Sequence, residues 1–93
     1  MKYQDVIDQI PDYEVFLTVD ELDAHSKALA EEYPDVVELK ELGKSRQGHP
    51  IYGLKIGDGP HNAIMFACPH PNEPMGAMML DYFSRKLAED EEL

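Results

Sequence analysis

An α/β fold is predicted by three features of the sequence. A capped helix begins at Thr18, two short strands flank a glycine-bounded loop between residues 43 and 48, and an apolar stripe at helical spacing runs from Pro74 to Leu87. A run that is apolar throughout after its first residue, Asn62, spans residues 62–68 between the hairpin and the last helix and reads as a central strand covered on both faces. The predicted order is therefore helix, β-hairpin, central strand, helix, with helices lying on the faces of a sheet of which only part is present.

Residues 1–17 mix acids with Val6, Ile7, Ile10, Val15 and Phe16 around Pro11, and read as a lead-in segment. The first helix starts at Thr18-Val19-Asp20-Glu21. There the Thr18 hydroxyl can accept from a backbone N–H while Glu21 reaches back, and Leu17 can staple against Leu22. Leu22, His25, Leu29 and Tyr33 form its stripe, and Pro34 stops it, because a residue before proline avoids the α region. His25 is read as a member of that stripe. Val36 to Leu42 and Ile51 to Ile56 are the strands of the hairpin, and Gly57-Asp58-Gly59-Pro60 supplies the next turn. In the last helix Met75, Met78, Met79, Tyr82, Phe83 and Leu87 recur on one side, and the methionines are expected to fill core gaps.

Ninety-three residues allow one small domain, with a thin margin of stability. Residues 18–93 are expected to form the N-terminal part of a single catalytic domain truncated on its C-terminal side. A formal charge of −11 has the wrong sign for binding phosphates, which argues against nucleic acid and anionic membranes as partners. The acidic clusters read as solvated helix faces and ends. One cysteine, Cys68, allows no internal disulfide, and the polar start has no signal-peptide core, so a cytoplasmic protein is favoured.

The segment that carries chemistry is Cys68-Pro69-His70-Pro71-Asn72-Glu73-Pro74. It leaves the carboxyl end of the predicted central strand, which is where open α/β sheets place their ligands. Each proline pushes the residue before it towards extended geometry, so His70 and Glu73 sit on a stiff loop rather than inside a helix. An imidazole and a carboxylate three residues apart can reach one Zn²⁺ at about 2.0–2.2 Å, and a mixed His and Glu set suits a catalytic zinc with an open position for water. On spacing alone, a hydrogen bond between the two side chains or a helix cap stays open as the alternative. Cys68 is read as core, and His49 and His61 as surface histidines of polar turns.

Taken together these residues resemble the zinc metallocarboxypeptidases, the family typified by pancreatic carboxypeptidase A, from about Tyr13 onward. Gly43-Lys44-Ser45-Arg46-Gln47-Gly48-His49-Pro50-Ile51-Tyr52 is similar to that family's first hairpin, which typically has Gly, Ser, Gly and Ile at the positions of Gly43, Ser45, Gly48 and Ile51. The strand, the His-x-x-Glu and the helix follow in the family's order. The resemblance implies a three-layer α/β/α domain of the zinc-dependent exopeptidase type. It also implies that His70 and Glu73 are zinc ligands, and that a third histidine and a general-base glutamate are supplied from further along a longer chain. No histidine follows His70 here, so no catalytic residue is assigned within this chain, and the substrate is expected to be a peptide with a free C-terminus.

There are departures from the pattern. Asn72 stands where the peptidases often have a substrate-contacting arginine, and is read as a substrate contact. At that point the chain is closer to related N-acyl amino acid deacylases, with His-Gly-Asn-Glu, although Pro71 replaces the glycine. Acyl-amino acids are thus the alternative substrate class, and a non-catalytic module that keeps the fold is a third reading. His49 stands where the family commonly has arginine. Self-association is also expected, because a central strand without its neighbour leaves a polar edge open.

Overall fold

The computed structural model describes residues 3–68 and 75–90. Five elements follow in order: α1 (Tyr3–Asp8), α2 (Val19–Glu32), β1 (Val37–Lys44), β2 (Pro50–Ile56) and α3 (Met75–Glu89). The architecture is a small α/β arrangement of helix, two-stranded antiparallel hairpin and helix, with α1 added ahead of it.

α2 begins as its sequence dictates. The Glu21 backbone N–H donates to the Thr18 hydroxyl at 3.1 Å, and the Thr18 N–H donates to Glu21 Oε1 at 3.1 Å. This reciprocal capping box satisfies two helix-end donors, and such a cap contributes about 1 kcal/mol. At the other end Tyr33 is the C-cap, its N–H bonded to the Leu29 carbonyl at 3.0 Å, immediately before Pro34. One face of the helix turns inward at Leu29, which is 3% exposed.

The hairpin alternates in and out as a half-buried sheet should. Val37 pairs with Ile56, Leu39 with Leu54 and Glu41 with Tyr52, so Val37, Leu39, Leu54 and Ile56 share the covered face while Glu38, Lys40 and Lys55 are exposed. The register then slips between Glu41 and Gly43. Leu42 is the extra residue of this bulge, and its side chain reaches over Gly53, the one place in β2 where a Cβ would meet it at 2.9 Å. The turn is closed by the Gly48 N–H on the Ser45 carbonyl at 2.9 Å, with Gly48 at φ 82°. Gly57, at φ 81°, ends β2 and donates to the Val36 carbonyl at 2.9 Å.

Among the described residues the buried apolar side chains are Leu29 of α2, Val37 of β1 and Met78 of α3. α2 packs against both β1 and α3, and polar pairs at the rim join the two helices. Arg85 Nη1 lies 2.9 Å from Glu32 Oε2, and His25 Nδ1 2.9 Å from Asp81 Oδ2. The Glu32 hydrogen bond raises the Arg85 pKa. The lead-in residues are more ordered than their sequence suggests. α1 docks on α3 through the Tyr82 hydroxyl, which donates to the Val6 carbonyl, and through Lys86, which donates to Gln9.

The expected central strand is not formed. Residues 62–68 have no regular secondary structure and do not join the hairpin ladder, and Ile64, Met65 and Phe66 are exposed, Ile64 to 93%. A strand is held by pairing of its backbone groups, and apolar composition cannot replace a missing partner. The two-stranded sheet gives this run neither a ladder nor two covering layers. The methionine expectation also divides: Met78 is buried, whereas Met75 and Met79 lie exposed. No helix among the described residues is long and apolar enough to cross a membrane.

Candidate metal centre

The side chains expected to hold zinc, His70 and Glu73, and the expected substrate contact Asn72 lie outside the described residues. What the structure provides is the frame on either side. The loop leaves at Cys68 and re-enters the fold at Met75, the first residue of α3. Its two ends are close together, since a Cβ built on Gly76 would lie 3.1 Å from the Ala67 Cβ and 3.9 Å from the Cys68 nitrogen. A glycine in the first turn of α3 is what lets the helix approach this closely. The six intervening residues include three prolines. A segment so rich in proline has less backbone freedom to lose on binding a ligand.

Cys68 is half-buried, at φ 60°, the left-handed region that non-glycine residues rarely adopt. Such a conformation costs about 1 kcal/mol and collects at functional sites. The reading of Cys68 as core is met in part, since the residue is half-buried. The thiol sits at the bend from which the chain turns into the loop, two residues before His70. The donor set of that loop, a borderline imidazole nitrogen and a carboxylate, matches zinc better than magnesium or calcium, which take all-oxygen spheres.

Two of the remaining histidines, His25 and His49, have partners that spacing did not reveal. His25, expected in the apolar stripe, has an exposed ring and bridges α2 to Asp81 of α3. His49, expected as a surface histidine, has its Nε2 2.9 Å from Asp23 Oδ2 and so ties the hairpin turn to α2. Asp20 joins them: the ligand atoms of Asp20, Asp23 and His49 all lie within 4.8 Å of one another. The two aspartates were legible as neighbours, three residues apart on one helix. The arrival of His49 from 26 residues away depends on how the hairpin lies against the start of α2.

The zinc carboxypeptidase family matches residues 22–92. That span takes in most of α2, the hairpin, the apolar run, the loop with His70 and Glu73, and all of α3. Among curated proteins no relative matches. More than half of the sequence is covered by the family match, and the chain belongs to the zinc carboxypeptidase family.

Proposed function

We propose that this chain forms the N-terminal part of a metallocarboxypeptidase-like catalytic domain and supplies two of its zinc ligands, His70 and Glu73. The reaction is removal of C-terminal amino acids from peptides by a metal-activated water. The observation that carries this reading is the His-x-x-Glu of the sequence inside the span that matches the family, between Ala67 and Gly76, which lie against one another.

His70 would hold the metal through one neutral imidazole nitrogen and Glu73 through one or both carboxylate oxygens. Zinc held there would lower the pKa of a bound water to about 7 and would polarise the scissile carbonyl. Asn72, between the ligands, would turn its amide towards the substrate, where it can donate to a carbonyl or carboxylate oxygen. Pro71 and Pro74 fix the backbone of the residues before them, so the two ligands lose little freedom on binding. No histidine lies beyond His70 to serve as a third ligand, so the 93 residues alone bind zinc weakly and turn over no substrate. Zinc-dependent peptide hydrolysis by this chain in isolation would overturn that statement.

Asn72 favours a second substrate class. The segment His70-Pro71-Asn72-Glu73 is close to the His-Gly-Asn-Glu of N-acyl amino acid deacylases. The two readings separate when the longest natural form of the protein is given peptides with free C-termini and, in parallel, succinylated or acetylated amino acids. Release of C-terminal residues supports the peptidase, and release of the acyl group the deacylase. A protein that retains no zinc and acts on neither is a non-catalytic member that kept the fold.

A further inference from the structure

We propose that Asp20, Asp23 and His49 form a second cation site, separate in its residues from His70 and Glu73, that takes a first-row divalent metal such as Zn²⁺. Three donors from two distant elements converge there. Asp20 lies in the first turn of α2, and Asp23 follows on the same side one turn later. His49 comes from the hairpin turn, and its backbone is held on both sides. Its N–H donates to Ser45 Oγ at 3.1 Å, and its carbonyl accepts from the Ser45 N–H at 2.8 Å. Its ring is presented to the helix with Nε2 2.9 Å from Asp23 Oδ2.

The distances suit a site that closes around an ion. Metal bonds of about 2.0–2.2 Å place neighbouring ligand atoms roughly 3.0–3.5 Å apart. The ligand atoms here lie within 4.8 Å of one another, so the group closes by an adjustment of roughly 1–2 Å. Asp20 is exposed and has room to make it. Electrostatics act in both directions. Two carboxylates on one helix face repel one another and the chain carries −11 overall, both of which favour a cation. The positive end of the α2 dipole opposes it. Two carboxylate charges and a neutral imidazole balance a divalent ion, and the imidazole selects zinc, cobalt or nickel over calcium and magnesium. Asp20 and His49 are exposed to water, which would complete the coordination sphere.

The simpler role, a His49–Asp23 ion pair tying the hairpin to α2, makes no use of Asp20. That difference sets the test. The chain carrying His70→Ala and Glu73→Ala is titrated with Zn²⁺ by calorimetry and with Co²⁺ by its visible absorption. The expected result is one ion per chain. Asp20→Asn and His49→Ala should each weaken binding at least tenfold, with circular dichroism unchanged, and excess Ca²⁺ or Mg²⁺ should not displace the ion. No uptake in that background, uptake indifferent to Asp20→Asn, or equal displacement by Ca²⁺ would overturn the proposal. Because the two family ligands are already removed, the outcome is independent of the zinc reading above.

Discussion

Leu29→Ala removes the most buried side chain of the described core, and its cost can be set against a control of the same chemistry. Leu29 is 3% exposed, and Val37 and Met78 are the other buried apolar residues among those described. Truncating a buried leucine costs about 2–5 kcal/mol, according to how well the site collapses. Most residues of α2, β1 and α3 are half-exposed or exposed, so the site can relax or admit water, which places the cost towards the lower end, about 2–3 kcal/mol. A domain of this size has about 5–14 kcal/mol in total, and so thin a core places it near the bottom of that range. Leu29→Ala should therefore lower the melting temperature by about 10–20 °C. The control is Ile64→Ala, at a residue 93% exposed, which should stay within about 0.5 kcal/mol of the parent chain. Urea unfolding followed by far-ultraviolet circular dichroism, at protein concentrations low enough to keep the chain monomeric, measures both. An Ile64→Ala cost equal to that of Leu29→Ala would refute the reasoning, because it would mean that residues 62–68 are covered in solution.

Three further outcomes follow from other parts of the molecule. The Thr18 N–H and hydroxyl hold the Glu21 carboxyl below the usual carboxylate range. The folded pKa is therefore the depressed one, so the capping contribution is present above the ordinary carboxylate pKa and is lost as pH falls through the folded value. Helix content followed by circular dichroism between about pH 6 and 2 should show this loss, and Glu21→Gln should flatten it. Gly76→Ala sets up to about 1 kcal/mol of helix propensity against a 3.1 Å approach to Ala67 and should be near neutral. The bulkier Gly76→Val should displace the loop and weaken zinc binding by the longest natural form several-fold in calorimetry, whereas unchanged affinity would show that the Ala67 contact does not position the ligands. Finally, the exposed run Ala63 to Phe66 is uncharged and apolar, so sedimentation should show self-association that rises with concentration and is suppressed by Ile64→Lys.

Local signals carried most of the readable fold. Thr18 and Glu21 marked the start of α2 and Pro34 its end, because caps and prolines act within a single turn of chain. The hairpin was legible from Gly43, Gly48 and the alternation on either side, and its strands extend one or two residues beyond the expected limits at the turn end. Apolar composition at residues 62–68 was misleading for a physical reason. It records what a strand buries, whereas the strand exists only when a neighbour supplies the hydrogen-bond ladder. α1 was missed because six residues bounded by Gln9 and Pro11 carry little periodic signal, and its order comes from contacts with Tyr82 and Lys86. The spacing of His70 and Glu73 is readable in the sequence, and their placement lies outside the described residues. The closeness of Ala67 and Gly76, the left-handed Cys68 and the arrival of His49 beside Asp20 and Asp23 all depend on tertiary approach, which no local pattern encodes.

Zinc binding to the longest natural form of the protein, compared by calorimetry with its His70→Ala, Glu73→Ala variant, tests the central claim most directly. The account predicts tight uptake of an ion that the variant loses, with any weaker binding at Asp20, Asp23 and His49 left in place. Equal uptake in both proteins, or none in either, would contradict it and leave the family membership as a statement of ancestry and fold.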